Sequence, residues 1–486
     1  MSSTLKSRTV SGVGWSAADA FSAQGVNFLV GLVLARLLSP AEYGLIGIAM
    51  IFIVILSGFV DCGFSNALIR RKEVSDKDYN TMFVTNLVMS MAVYLILFFC
   101  APLVANFFER TEVTNLLRVL SLTVVIQAIA IVQNTILTKR IDFKTKTKAT
   151  VISAVVSGVI GITAAFCGWG VWALAAQQLS MQLVNTLCLC TFTRWLPNFS
   201  FSGESFRYMW GFGWKMMLSG FLDRTWSQLY QAVVGKYYQP EALGQYTRAR
   251  LFANFFSANF TSIVQRVSFP ALAEVQDETA RMVSAYRKII KTSMFVTAIC
   301  MISLGAISEP FIYCLIGGQW HQAATFLPLI CISMSLYPLH AINLDMLQVQ
   351  GRSDIFLILE IIKKIVAIGP LCLGIFVDIY WMLWGSIFAG IIAFFLNSYY
   401  TGKKLGYSSW KQLKDVAPSY GIAFAIAVSV YFFKYLPLSH FVILPIQLAV
   451  GTAVFFGICE TFKPEEYFEV KSLTVEYFKK AKNTIK

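Results

Sequence analysis

Arg250, Asn254, Ser257, Thr261 and Gln265 recur at i, i+4, i+7, i+11 and i+15 inside a segment otherwise rich in Phe, Ala and Val. That spacing places a guanidinium, amides and hydroxyls along one narrow helical face, a row that cannot face lipid. The preceding apolar segment carries Arg224, Gln228 and Gln231 on one face and Lys215, Ser219 and Asp223 on another. Further on, His340, Asn343 and Gln350 share a face, and Glu360, Lys363 and Lys364 follow, the lysines about ten residues from either end of their run. At a rise of about 1.5 Å per residue that depth is near the middle of a bilayer. Gln24 and Asn27 add polar groups to the first apolar segment.

Ionised groups inside apolar helices are costly and face protein or water. Single Asn, Gln and Ser residues read first as glue between helices, and Glu360 with Lys364 has the favourable i, i+4 order. The cations are different, because Arg224, Arg250, Lys363 and Lys364 outnumber the nearby acids Asp223 and Glu360. Uncompensated positive charge at that depth expects an anionic ligand. His340 alone reads as a core residue before a proton relay.

The elements that must hold these residues are membrane helices. Of 486 residues, 57% are hydrophobic and 14% charged, against about 45–50% and about 25% in soluble domains. A soluble fold is excluded, and with it the nucleic-acid partner that a net charge of +14 would otherwise suggest. A hydrocarbon core needs about 20 helical residues, and runs of that length occur near 11–35, 44–68, 81–107, 113–137, 149–168, 171–193, 208–235, 243–269, 289–308, 322–348, 355–376, 380–401, 416–435 and 441–461. The sequence thus predicts an all-α polytopic membrane protein of about 14 transmembrane helices. With the N-terminus in the cytoplasm, 28 of the 40 Lys and Arg residues fall on inside segments and only Arg36, Arg110, Lys236 and Lys434 outside. Both termini are therefore expected inside. Lys6 and Arg8 precede the first apolar run as in a signal peptide, but the small-residue site Ala18-Asp19-Ala20 comes before its strongest part, and no cleavage is expected.

One outline occurs twice. Gly12-Val13-Gly14-Trp15 opens a run that closes on Pro40-Ala41-Glu42-Tyr43-Gly44, and Gly211-Phe212-Gly213-Trp214 opens one that closes on Pro240-Glu241-Ala242-Leu243-Gly244. Six spans separate the copies, which implies two six-helix lobes of the same orientation. The expected division is a first lobe at 1–193, a cytoplasmic linker at 194–207, a second lobe at 208–401, two further helices at 402–461 and a charged cytoplasmic tail at 462–486.

Ten cysteines lie mostly in apolar runs with no CxxC pair, so they read as buried hydrophobes and supply neither disulfide frame nor metal site. The sequence has no phosphate-binding G-x-x-x-x-G-K-[ST] loop, no H-E-x-x-H and no nucleophile elbow. No loop is long enough for a folded catalytic domain. The expectation is a transporter and not an enzyme, with no cofactor.

Leu34-Ala35-Arg36-Leu37-Leu38-Ser39-Pro40-Ala41-Glu42-Tyr43-Gly44, Asp61-Cys62-Gly63-Phe64-Ser65, Ala67 to Lys72, and Arg140-Ile141-Asp142-Phe143-Lys144 resemble the polysaccharide transporter branch of the multidrug/oligosaccharidyl-lipid/polysaccharide exporter superfamily. So do Gly170-Val171-Trp172-Ala173-Leu174, Glu241 to Tyr246 and Phe269-Pro270-Ala271-Leu272. Within that branch the chain is similar to Wzx flippases of the colanic acid and teichuronic acid exporter type. The resemblance implies a V-shaped pair of lobes with a basic lumen, opening alternately to either side, in the bacterial inner membrane. It also implies a polyprenyl-pyrophosphate-linked oligosaccharide as cargo, moved outward for O-antigen, capsule or exopolysaccharide synthesis. A polysaccharide polymerase and a chain-length regulator are the protein partners it suggests, around a monomeric transport unit among membrane lipids.

On that reading Arg224, Arg250, Lys363 and Lys364 meet the pyrophosphate. Gln24, Asn27, Gln228, Gln231, Asn254, Ser257, Thr261, Gln265, His340 and Asn343 meet the sugars, and Asp223, Glu360 or His340 would couple transport to protons or sodium. The alternative is a cation-coupled exporter of small molecules resembling the multidrug branch, against which a basic lumen speaks because it repels cationic drugs.

Overall fold

The computed structural model describes residues 24–472. The Gly12 to Trp15 opening of the first repeat, Lys6, Arg8 and the tail beyond Ser472 lie outside the described residues. Helices are the only regular elements among the described residues. The chain divides into two compact units, Met1–Gly244 and Gln245–Lys486.

The first unit contains α1 (Gln24–Leu37), α2 (Pro40–Leu56), α3 (Phe64–Arg70), α4 (Asp76–Phe107), α5 (Glu112–Leu120), α6 (Leu122–Lys139), α7 (Phe143–Phe166), α8 (Val171–Thr193), α9 (Gly203–Tyr237) and the first turn of α10 (Pro240–Glu274). The motifs quoted above build its corners. Ser39 and Glu42 form a reciprocal capping box at the start of α2, with Pro40 in the first turn where its missing N–H is not needed. Gly63 enters α3 at φ 72°, a left-handed conformation that favours glycine. Asp61 Oδ1 accepts from the Ser65 N–H at 3.2 Å and from its hydroxyl at 2.6 Å, capping the same helix. Asp142 caps α7 by accepting from Thr145 N–H at 3.1 Å, and Gly170 turns into α8 at φ 54°.

α9, grouped from its sequence with the second lobe, packs against α2, α3 and α4 of the first unit. Its aromatic face explains this: Phe206 and Trp210 meet Phe64 edge-on, and Phe221 meets Phe59 at 4.7 Å. The expected linker at 194–207 lies along α4, where Asn198 N–H donates to Asn80 Oδ1 at 2.8 Å and Ser202 N–H to Thr81 Oγ1 at 3.0 Å.

Among the described residues nine helical segments are long and apolar enough to cross a membrane. Of the other five expected spans, four are helical, as α8, α9, α10 and the pair α15 (Ser353–Val366) and α16 (Ile368–Phe376) described below, and the described part of the first is α1. α9 and α10, at 35 residues each, have ample length. They fall short in apolarity because they carry the Arg and Gln faces.

The second unit continues α10 and adds α11 (Thr279–Ala306), α12 (Ser308–Ile316), α13 (His321–Ser335), α14 (Tyr337–Val349), α15, α16, α17 (Ile379–Leu405), α18 (Ser409–Tyr431) and α19 (His440–Phe462). Its core gathers Met282, Tyr286, Ile290 and Met294 of α11 with Leu339, Ile342 and Met346 of α14 and Phe394 of α17. After α19, Tyr467 packs on Phe295 and Cys459, while Glu466 and Glu469 pair with Lys291 and Lys288 of α11.

The two repeated Pro-x-x-x-Gly corners meet inside the first unit. A Cβ on Gly44 would lie 1.8 Å from the Pro240 carbonyl oxygen, and one on Gly244 would lie 1.9 Å from that of Pro40. Only glycine allows this reciprocal backbone contact. Gly213 repeats it at the other end of α9, where a Cβ would fall 2.3 Å from the Cys62 carbonyl oxygen. Lys236 pairs with Glu109 at 2.8 Å and Arg110 donates to Gln239 beside the first seam. Gly44→Val and Gly244→Val should each lower the thermal unfolding midpoint in detergent, with overpacking costing about 1–3 kcal/mol or more. Gly211→Ala, where nothing lies within 4 Å, should leave the midpoint unchanged.

Candidate functional site

Arg224 stands exposed on α9 beside the end of α2. Its Nη1 donates to Ser57 Oγ at 3.1 Å, and the guanidinium lies over Gly58, where a Cβ would touch Nη1 at 3.3 Å. Asp61 is near enough to feel its charge but forms no ion pair with it. Asp223 is exposed next to it. Gln228 and Gln231 are half-buried on the same helix, and neither they nor Gln24 and Asn27 of α1 make a hydrogen bond among the described residues.

The polar row of α10 turns into its own unit, and its members do different things. Ser257 donates to the Met334 carbonyl at 2.7 Å, Thr261 donates back to the Ser257 carbonyl, and both are fully buried. Gln265 Nε2 donates to Asp345 Oδ1 at 3.0 Å. Ser257 and Gln265 fasten α10 to α13 and α14, and Thr261 bonds back within α10, so all three have their polar groups engaged by protein. Arg250 and Asn254 are half-buried with their polar groups unused: Arg250 Nη1 is inaccessible to solvent and has no partner, and Asn254 makes no hydrogen bond among the described residues.

A third group forms where α14, α15 and α17 meet. Lys363 is locked to Glu360 by an ion pair one turn away, so its charge is answered and Glu360 is committed. His340 lies within electrostatic reach of Lys363, with Nδ1 3.5 Å from the Asn397 amide. Lys364, half-buried, has no hydrogen-bond or ion-pair partner among the described residues. Asn343 is fully buried and saturated: its Oδ1 accepts from Tyr286 OH at 2.6 Å and Thr401 Oγ1 at 3.0 Å, and its Nδ2 donates to the Leu339 carbonyl and Gln412 Oε1. It cannot offer a sugar anything without breaking that web.

Asp345 and Asn397 are missing from the sequence-derived set. Their partners Gln265 and His340 are 80 and 57 residues away. The only signal was the cost of a carboxylate in a membrane helix, and Asp345 Oδ2 is indeed buried without a partner.

With this geometry in view the comparisons with known proteins can be placed on it. The profile of a family described as polysaccharide biosynthesis protein matches residues 33–325. The chain belongs to that family. The match covers the corners at Ser39, Asp61, Asp142 and Gly170 together with Arg224 and Arg250, and it stops before α14 and α15. The chain is 26% identical to the succinoglycan biosynthesis transport protein ExoT of Rhizobium meliloti (strain 1021) over 375 residues, 77% of this chain and 76% of that one. It is 24% identical to the lipopolysaccharide biosynthesis protein WzxC of Escherichia coli (strain K12) over 377 residues, 76% of each.

The fold is similar to that of the lipid II flippase MurJ, a structure solved in an inward closed conformation, with a TM-score of 0.72 at 16% identity over 93% of this chain and 98% of that one. An inward-facing MATE family multidrug transporter gives a TM-score of 0.62 at 17% identity over 82% of this chain and 99% of that one. The polytopic helical membrane architecture expected from composition is therefore present.

Structural and unused polar groups should separate experimentally. Asn343→Ala orphans the Tyr286 hydroxyl and Gln412, so it should destabilise by about 1–3 kcal/mol. Arg250→Ala and Lys364→Ala each remove an unanswered charge, and thermal unfolding in detergent should show no loss.

Proposed function

We propose that this protein moves polyprenyl-pyrophosphate-linked oligosaccharide repeat units from the cytoplasmic to the outer leaflet of a bacterial inner membrane, by alternating access, for surface polysaccharide synthesis. The observation that carries this reading is the charge left over inside the polar helices. Arg224, Arg250 and Lys364 enter no ion pair among the described residues, although an unneutralised Arg or Lys at the centre of a membrane helix costs about 2.5–3.5 kcal/mol or more. Such groups are retained where an anion or water meets them. A diphosphate supplies two negative charges and many acceptor oxygens, which suit guanidinium and ammonium donors.

The fold shared with a lipid flippase and the family's description as polysaccharide biosynthesis proteins support the same cargo class. Transport without covalent chemistry is all the task requires. A sugar hydroxyl stripped of hydrogen bonds costs roughly 4–8 kcal/mol in hydrocarbon, so the headgroup needs a polar path. Asn254, Gln228 and Gln231, with unused amides, are the residues we assign to the sugar, together with Gln24 and Asn27. Ser257, Thr261, Gln265 and Asn343 drop out of that role because their groups are already bonded.

Outward movement of two negative charges gains about 4–5 kcal/mol from an inside-negative potential of 100 mV, at about 2.3 kcal/mol per charge. An ion gradient is thus not required by energetics. Coupling through Glu360 would have to break its pair with Lys363, which leaves Asp223 and His340 as the freer candidates for a proton or sodium ion.

In a strain lacking the native copy, Arg250→Ala combined with Lys364→Ala should reduce surface polymer at least about tenfold at equal protein level, the loss of about 1.4 kcal/mol of cargo stabilisation. Lipid-linked repeat units should accumulate on the cytoplasmic side. Unchanged polymer export by that double variant would remove the anionic-cargo assignment.

A further inference from the structure

The second unit holds a cavity of 580 Å³ where α11 and α18 end and α12 and α13 begin. Its floor is apolar, formed by Met301 and Ile302 of α11, Ile332 of α13 and Phe424 of α18. Phe424 and Ile332 are exposed, so the floor opens sideways toward the bilayer. The mouth is polar and carries charges of both signs. Glu309, in the first turn of α12, makes no hydrogen bond or ion pair among the described residues. Lys434, in the 3-10 turn Phe432–Tyr435 that follows α18, donates to the Tyr431 hydroxyl at 2.7 Å and stacks over the Tyr431 and Tyr435 rings at 4.0 and 4.9 Å. It has no carboxylate partner either. From His321 at the mouth to Ile332 the wall runs three turns of α13, roughly 16 Å at about 1.5 Å per residue.

A free carboxylate and an ammonium face one apolar slot without neutralising each other. We propose that this cavity binds a glycerophospholipid with a zwitterionic primary-amine headgroup. The phosphate lies on Lys434, the ammonium donates to Glu309, and one acyl chain follows the floor between α11, α13 and α18. The charge pattern selects this occupant. A headgroup with phosphate alone would leave Glu309 unanswered beside a second negative charge. A quaternary ammonium has no N–H to donate to the carboxylate. A polyprenyl chain would fill the floor and leave both charges unused. This site stands apart from the cationic residues assigned to cargo, and holds whether or not that assignment does.

Native mass spectrometry of the purified full-length protein, with phosphatidylethanolamine, phosphatidylglycerol and phosphatidylcholine of matched chains, tests it. The wild type should retain phosphatidylethanolamine about fivefold over the other two, the discrimination that one partly exposed ion pair provides. Glu309→Gln should erase that preference and Glu309→Asp should keep it, while Lys434→Ala should weaken phosphatidylethanolamine and phosphatidylglycerol alike. Unfolding midpoints measured alongside identify a variant that has lost its fold, and the Glu309→Asp comparison then carries the test. Equal retention of the three lipids by the wild type, an undiminished preference in Glu309→Gln, or displacement of phosphatidylethanolamine by polyprenyl phosphate in wild type and Glu309→Gln alike would overturn the proposal.

Discussion

A hydrocarbon core answers no polar group, so every donor, acceptor and charge on a spanning helix must be met by protein, water or ligand. This chain meets most of them internally. Asn343 is closed by Tyr286, Thr401 and Gln412, Gln265 finds Asp345, and Lys363 takes Glu360 from its own helix. Among the cations of the polar faces, Arg224, Arg250 and Lys364 enter no ion pair among the described residues. Those charges are the basis of the anionic cargo proposed above.

The repeated glycine corners supply the second constraint. Backbones approach as closely as Gly44 with Pro240 and Gly244 with Pro40, and Leu243 fills the space that Gly47 and Gly235 leave. That seam is closed by this backbone contact, by buried Leu243 and Ile48, and at its exposed edge by Lys236 with Glu109 and Arg110 with Gln239. Lys236 holds the Glu109 carboxyl below its ordinary range, so the pair is intact at neutral pH and is lost as pH falls through that lowered value.

The sequence carried the fold well, because membrane helices announce themselves by run length and the corners by Pro, Gly and capping residues. Ser39, Asp142 and Gly170, which enter the sequence reading only within the motifs of the family resemblance, are helix caps in the structure. The site was harder. Helical periodicity placed Arg250, Asn254, Ser257, Thr261 and Gln265 on one face, but a face does not reveal which neighbour it meets. Ser257 reaches a backbone carbonyl 77 residues away and Gln265 a carboxylate 80 residues away, whereas Arg250 Nη1 reaches nothing. Long-range pairing of that kind separates glue from ligand surface, and it leaves no periodic trace in the chain. The two neighbouring lysines show the same limit. The i, i+4 pairing expected of Glu360 with Lys364 goes instead to Lys363 at i+3, leaving Lys364 as the unanswered charge.

The account turns on whether a pyrophosphate-bearing headgroup is what those leftover cations receive. Purified protein reconstituted in liposomes with a fluorescent polyprenyl-pyrophosphate-linked oligosaccharide, and separately with the same glycan on an uncharged polyprenyl ether, measures this directly through the rate at which headgroups reach a membrane-impermeant quencher. The account predicts fast movement of the pyrophosphate form by wild type, slow movement of the uncharged form, and loss of the difference in the Arg250→Ala, Lys364→Ala protein. Equal rates for both lipids in the wild type would contradict it.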